Sequence, residues 1–248
     1  MIVKKITLKN EEFARNNRRS FFVAGFASLC AAFGLYSVFV SEQEDGIQSP
    51  LRKGFLLNEN FWKRFVKSER QNSIVNSPPT GTKARINGDI GLENDIDIED
   101  WNLVYESPFV KKTLTLKDLE LIKRTSSQAE FRCIEGWSMP IGYEGVKFYD
   151  FLQTIDPQGM SLPYVGLETP EANYYVGIDM QSMLHPQTIL ADKMNGAALG
   201  KEHGEPLRLI IPVKYGIKSL KRVGKIFLTD VRPRDYWAEN GYDWYSGH

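Results

Sequence analysis

Phe131-Arg132-Cys133-Ile134-Glu135-Gly136-Trp137-Ser138 is the stretch on which the reading of this chain turns. The run from Ala129 to Glu135 has strand character and stops at Gly136, so Cys133 lies near a strand end. The 248-residue chain has only two cysteines, and the other, Cys30, sits inside an N-terminal apolar stretch. If that stretch crosses or is exported through a membrane, Cys133 has no intramolecular disulfide partner. An unpaired cysteine in an exported protein points to a reactive thiol or a metal ligand. The competing reading is a small buried apolar residue, because free cysteine is among the most buried types.

The composition narrows the classes. Lysine plus arginine number 31 and aspartate plus glutamate 31. No basic excess calls for nucleic acid, and no acidic tail calls for disorder. Two cysteines exclude a disulfide scaffold and a four-cysteine zinc site, and His185, His203 and His248 lack the close helical spacing of a zinc protease. Beyond the leader, roughly 200 residues remain, enough for one large or two small domains with a substantial core.

Towards the N-terminus, Phe21 to Val40 carries no charge and is long enough to span a bilayer as a helix. Lys4, Lys5, Lys9, Arg15, Arg18 and Arg19 precede it, and Glu42, Glu44 and Asp45 follow, an asymmetry that leaves the bulk of the chain on the far side. Arg18-Arg19-Ser20-Phe21-Phe22 resembles a twin-arginine export signal, a route for proteins that have already folded; the pair also reads as ordinary flanking charge. No clean small-x-small cleavage site ends the run, so residues 1–45 are expected to be a signal or, preferably, an uncleaved anchor. Residues 46–81 read as a linker. It holds an amphipathic piece, Leu56 to Val66, lying on the membrane or packed on the domain, and a loop signal, Asn76-Ser77-Pro78-Pro79-Thr80-Gly81, at the domain boundary. Residues 82–248 form the remaining domain.

Within that domain the pattern is α+β with strands predominating. Strands are expected at Trp101–Glu106, Tyr164–Glu168, Asn173–Ile178, Thr188–Met194, Leu207–Pro212 and Lys225–Asp230. Thr115 with Asp118 forms a capping-box pattern ahead of Leu116, Leu119 and Ile122. Gly145–Ile155 has helical spacing, with Val146, Tyr149 and Leu152 on one face.

Several blocks fall in a recognisable order: Arg85-Ile86-Asn87-Gly88; Arg132 to Ser138; Ile178-Asp179-Met180 with His185-Pro186-Gln187-Thr188; His203-Gly204-Glu205-Pro206-Leu207-Arg208-Leu209; Pro212 to Lys221; and the closing Arg232-Pro233 and Gly241-Tyr242-Asp243-Trp244. In this order, over Lys83 to His248, the chain resembles the sulfite oxidase fold of molybdopterin-dependent oxidoreductases. It is most similar to the exported bacterial branch that includes the catalytic subunit of periplasmic methionine sulfoxide reductase. The resemblance implies a β-rich α+β fold around a molybdenum-molybdopterin cofactor with a single pterin. It assigns Cys133 as the catalytic thiolate that binds the metal, a soft anionic sulfur suited to a metal of high oxidation state. It further implies that Arg208, Ser219, Lys221 and His203 hold the cofactor, with Lys218 as an addition. Arg85, Asn87 and Gly88 correspond to the loop over the pterin, and Thr169 to a further contact. A phosphate-bearing pterin needs cations and backbone donors. Independently of the resemblance, Arg208 within Leu207-Arg208-Leu209-Ile210-Ile211 is a charge in an apolar strand and has to be paired. His185 reads as structural; Trp137 and Tyr143 read as walls of a substrate funnel or as core.

The chain departs from true sulfite oxidases just after the cysteine. Ile134-Glu135-Gly136-Trp137-Ser138-Met139-Pro140 replaces an arginine-rich stretch, and glutamate and tryptophan are poor hosts for an anion. The expected reaction is therefore two-electron oxygen-atom transfer from a sulfoxide, small or on protein methionine. Sulfite or other small-anion oxidation is the alternative, and a non-catalytic cofactor-binding or electron-transfer subunit is another. With no haem-attachment pair in the sequence, electrons are expected to pass through a separate membrane haem protein or cytochrome. No immunoglobulin-like dimerisation domain follows, so a monomer is expected, on the periplasmic side of a bacterial inner membrane, anchored or released.

Overall fold

A computed structural model describes residues 10–44, 46–65 and 83–248, with side chains outside 10–16 and 62–65. In chain order the elements are α1 (Asn10–Phe39), β1 (Gln43–Glu44), β2 (Ile47–Gln48), α2 (Ser49–Phe65), β3 (Leu103–Glu106), β4 (Lys111–Leu114), α3 (Leu116–Glu120), β5 (Arg124–Arg132), β6 (Ser138–Lys147), α4 (Phe148–Ile155), β7 (Tyr164–Glu168), β8 (Tyr175–Asp179), α5 (Met180–Met183), β9 (Ile189–Met194), β10 (Ala197–Ala198), β11 (Arg208–Ile210), β12 (Lys225–Thr229) and α6 (Tyr236–Glu239).

Two five-stranded sheets carry the domain. One runs β10-β9-β6-β5 with β11 also on β9; the other runs β4-β3-β12-β7-β8. Pairing is antiparallel except β12 with β3, which is parallel and needs the long crossover that the intervening sheet provides. A core that includes Leu103, Phe148, Phe151, Val165, Ile178 and Ile226 gathers side chains from both sheets, and a smaller cluster of Ile141, Tyr143, Ile189, Ala191, Met194, Leu199 and Ile210 lies in the β5–β11 sheet.

The capping box at Thr115 forms as expected: Asp118 N donates to Thr115 Oγ1, and Thr115 N donates to Asp118 Oδ2 at 2.8 Å. Gly145–Ile155 differs from its expected helix. Gly145, Val146 and Lys147 finish β6, and the helix begins at Phe148. Consequently Phe148, Phe151 and Leu152 face the core, while Tyr149 is exposed. The β5–β6 pairing holds the strand conformation across Gly145 and Val146, overriding their local helical spacing.

The segment after residue 45 is not a free tether. Ser49–Phe65 is one helix, docked on the C-terminal part of the domain through Arg52, whose guanidinium donates to the carbonyls of Ala238 at 2.8 Å and Tyr242 at 3.3 Å. Glu59 pairs with Arg232 on the same side. The Asn76–Gly81 boundary lies outside the described residues. Asn17–Phe39 is long and apolar enough to cross a membrane by length and composition, and none of that window is buried against the domain.

Candidate functional site

Cys133 opens the tight connection between β5 and β6. Its N–H donates to Trp137 O at 2.9 Å, and Gly136 N donates to Cys133 O at 3.1 Å. Gly136 has φ +87°, the left-handed region where a side chain would be strained. Cys133 is buried, with 6 % of the residue exposed, and its sulfur accepts the side-chain amide of Asn87, Nδ2 to Sγ 3.3 Å. A second close approach comes from the loop after β11: a Cβ on Gly216 would sit 2.4 Å from the Phe131 ring, so only glycine lets that loop press on the end of β5.

Lys221 ties three backbones together. Its ammonium donates to Asn87 O at 2.9 Å, Gly88 O at 2.7 Å and Glu202 O at 2.7 Å. Burial and the neighbouring Arg208 charge push its pKa down to about 8. His203, in the 3-10 turn Lys201–His203, is held below the usual histidine range by burial and by the Arg208 and Lys221 charges, and so is neutral near pH 7.

Arg208 is the most unusual group of the cluster. It is 3 % exposed on β11, and among the described residues its guanidinium has no carboxylate partner; Nε is buried without a hydrogen bond. Its carbon lies 6.0 Å from the Phe131 ring centroid and 5.9 Å from that of Tyr143. The Tyr143 hydroxyl is likewise buried and without a partner. A buried cation and two unmet donors in one place are costly unless an anionic acceptor completes them. Among the described residues no group of three or more His, Cys, Asp or Glu side chains could hold a metal, so a metal on the Cys133 sulfur takes its remaining ligands from elsewhere. A metal carried by an anionic, sulfur-donating organic group fits this donor set.

The expected residues divide. Cys133 and Asn87 touch, Asn87 and Gly88 join Lys221, and the Arg208 charge reaches Lys221 and His203. Arg85 lies over the Trp137 ring at 4.6 Å and donates its backbone N–H to Met139 Sδ at 3.3 Å, on the hairpin that begins with Cys133. Ser219 Oγ accepts Ile211 N at 3.4 Å in the segment that leads to Lys221. Two side chains have other tasks. Lys218 is buried with its ammonium on Asp235 at 2.5 Å and Gly177 O at 3.0 Å, so it holds α6 to β8. Thr169 Oγ1 closes its own turn, donating to Asn173 Oδ1 at 2.8 Å and accepting Tyr174 N at 3.2 Å. His185 is buried, with Nδ1 accepting Gln187 N at 3.2 Å, a turn role as expected.

Sequence reading underrated Phe131 and Tyr143. Phe131 lies near the end of β5, two residues before Cys133, so its closeness to the cysteine was legible in the sequence. Tyr143 reaches Arg208 only through the β6–β9–β11 pairing, which no local pattern reveals.

Comparison with known proteins gives the family and the fold. Residues 90–237 match the family described as oxidoreductase molybdopterin binding domain. The chain is 31% identical over 152 residues to the protein-methionine-sulfoxide reductase catalytic subunit MsrP of Ralstonia nicotianae, covering 54% of this chain and 46% of that protein. With MsrP of Campylobacter jejuni the identity is 28% over 177 residues, covering 63% and 59%. The chain thus spans about half the length of the curated relatives it matches. Among solved structures, the sulfane dehydrogenase SoxCD of Paracoccus pantotrophus aligns with TM-score 0.50 and 23% identity, over 56% of this chain and 40% of that one. That likeness establishes the sulfite oxidase-like fold. With a family match across residues 90–237, more than half of its length, the chain belongs to the oxidoreductase molybdopterin binding domain family.

Proposed function

We propose that this protein is a molybdenum-molybdopterin enzyme of two-electron oxygen-atom transfer, and that it reduces sulfoxides, foremost methionine sulfoxide in exported proteins. The observation that carries the reading is the buried, carboxylate-free guanidinium of Arg208 in the same cluster as the Cys133 sulfur and Lys221. Cys133 would bind the metal, and Arg208, Lys221, His203 and Ser219 would hold a single pterin and its phosphate, with Asn87 and Gly88 above it and Arg85 at the rim. Lys218 and Thr169, expected as contacts from the resemblance, would act only through the fold around the pocket. When bound, the group supplies the two-electron redox change and the site of oxygen transfer.

The protein's own residues do the rest. The Asn87 amide, donating to Sγ, orients the sulfur and withdraws charge from it. Lys221 fixes the loop over the pocket, and the apolar ring of Phe131 helps keep water from the guanidinium. At the rim, Trp137 donates its Nε1–H to Glu135 at 3.0 Å, which presents an aromatic and acidic wall that suits a neutral sulfoxide and repels sulfite. Overall, a sulfoxide, two electrons and two protons give a thioether and water, the electrons arriving from a separate donor, here expected to be a membrane haem protein. The relatives' name, protein-methionine-sulfoxide reductase, supports the substrate class. The N-terminal helix supports a place on the periplasmic side of the membrane, reached by a route for folded proteins.

The test is the molybdenum and pterin content of the full chain, native and Cys133→Ala, made in a host that produces the cofactor. About one of each per native chain is expected, with the metal lost or its thiolate signature gone in the variant. A native chain that carries neither, while a control enzyme in the same host is loaded, would overturn the proposal. Sulfoxide and sulfite assays on the loaded protein then separate the reductase from the small-anion oxidase.

A further inference from the structure

A surface helix ordinarily buries its apolar side and shows its charges to water. Helix α2 does the reverse. Among its described side chains the two it buries are charged: Arg52 at 3 % and Glu59 at 6 % exposure lie on the carbonyls of Ala238 and Tyr242 and on Arg232. Phe55 and Leu56 flank this side half-buried. Pro50, Gly54, Leu57 and Phe61 recur at helical spacing on the opposite side and are all exposed, Leu57 by 72% and Phe61 by 53%. From position 50 to 61 this uncharged stripe is about 16 Å long. Lys53 is exposed beside it.

What faces the stripe follows from where α2 begins. Gln43 pairs with Gln48 and Glu44 with Ile47, and Ser49 N donates to Glu42 O at 2.9 Å. The hairpin therefore returns the chain to within three residues of Phe39, the end of the candidate membrane helix. Three extended residues reach at most about 10 Å. If α1 spans the bilayer, the first turn of α2 starts at its surface, and an apolar stripe there has lipid within reach.

We propose that α2 is an interfacial helix sandwiched between domain and bilayer: its polar side grips the domain, and its Leu57–Phe61 stripe sinks into the headgroup–acyl boundary of the membrane that α1 crosses. The inference rests on the reading of α1 as a membrane helix. Lys53 favours anionic lipid, in line with basic amphipathic helices that lie in such a boundary.

The test uses the full chain in proteoliposomes of phosphatidylcholine and phosphatidylglycerol. A thiol-reactive fluorophore is placed at Leu57→Cys, and separately at Phe26→Cys in α1 and at the exposed Leu121→Cys, each in a Cys30→Ser background; Cys133 is buried. Lipids spin-labelled near the top of the acyl chain should quench most of the fluorescence at 57, and aqueous iodide should quench little. The probe at 121 should respond the opposite way. Loss of signal to iodide at 57, with the probe at 26 quenched by lipid, would overturn the inference and leave the anchor standing. Shielding of 57 from both quenchers would overturn it in favour of a protein partner. A probe at 26 that lipid does not quench would remove the anchor and the inference together.

Discussion

Arg208 sits on a strand whose neighbours are all apolar, and no acidic side chain among the described residues answers it. An unmet buried donor costs about 1–3 kcal/mol, and a charged one more. Replacing it with methionine, of similar length, should therefore stabilise the cofactor-free protein by roughly 1–3 kcal/mol, while the pterin content of protein from a cofactor-producing host falls sharply. Denaturant unfolding and pterin assay read the two effects; an Arg208→Met protein less stable when empty would show that the guanidinium has a structural partner after all. Lys221 gives a pH signature. Its folded pKa, about 8, lies below the ordinary 10.5. Between those values the unfolded chain holds the proton and the folded chain does not, so this group makes stability rise as pH climbs through that window. The melting temperature of empty protein should show that component, and Lys221→Met should lack it; superimposable profiles would contradict it. The charge at Arg208 was legible in the sequence, because a lone arginine among four apolar residues has few explanations. Its lack of a carboxylate was not, since that depends on everything packed around β11.

Among the described residues, helix α2 is tied to the domain through the buried Arg52 guanidinium and the Glu59–Arg232 ion pair. Hydrogen bonds from a charged group are worth about 1.5–3 kcal/mol, so Arg52→Ala should release the helix locally more than it unfolds the protein. Hydrogen exchange should rise across Ser49–Phe65 and stay unchanged in β7 and β12; uniform acceleration would mean that α2 is integral to the core. Among the elements, those with local signals were readable: the Thr115 capping box, and the strands at Tyr164, Ile189 and Lys225. Strand β6 was not foreseen. Its run Ser138–Lys147 contains Pro140, Gly142 and Gly145, poor strand formers, and it is extended because β5 and β9 pair on its two sides. Helix α2 was seen in part, but its inverted polarity hid which side meets the domain.

At the scale of the molecule, the pair Lys218–Asp235 links the loop before the last strand to α6, with Asp235 also accepting Gly177 N at 3.1 Å and Ala238 N at 2.9 Å. Removing one member of a buried pair costs about 3–5 kcal/mol. Lys218→Met should lower stability by that order while the fraction that folds keeps its full pterin complement; selective loss of pterin from a stable variant would return Lys218 to the site. Resemblance alone could not separate Lys218 from Lys221, because both stand in one short block and only the packed structure sends one ammonium inward and the other to the loop at Asn87 and Gly88. The order of strands has a consequence in time. β12 (Lys225–Thr229) fills the middle of its sheet, parallel to β3 and antiparallel to β7. Until the ribosome has released residue 229, β3–β4 and β7–β8 are two separate hairpins, each with a bare edge open to aggregation. A nascent chain cannot complete this sheet as its first four strands emerge; the two hairpins have to wait for β12 to join them.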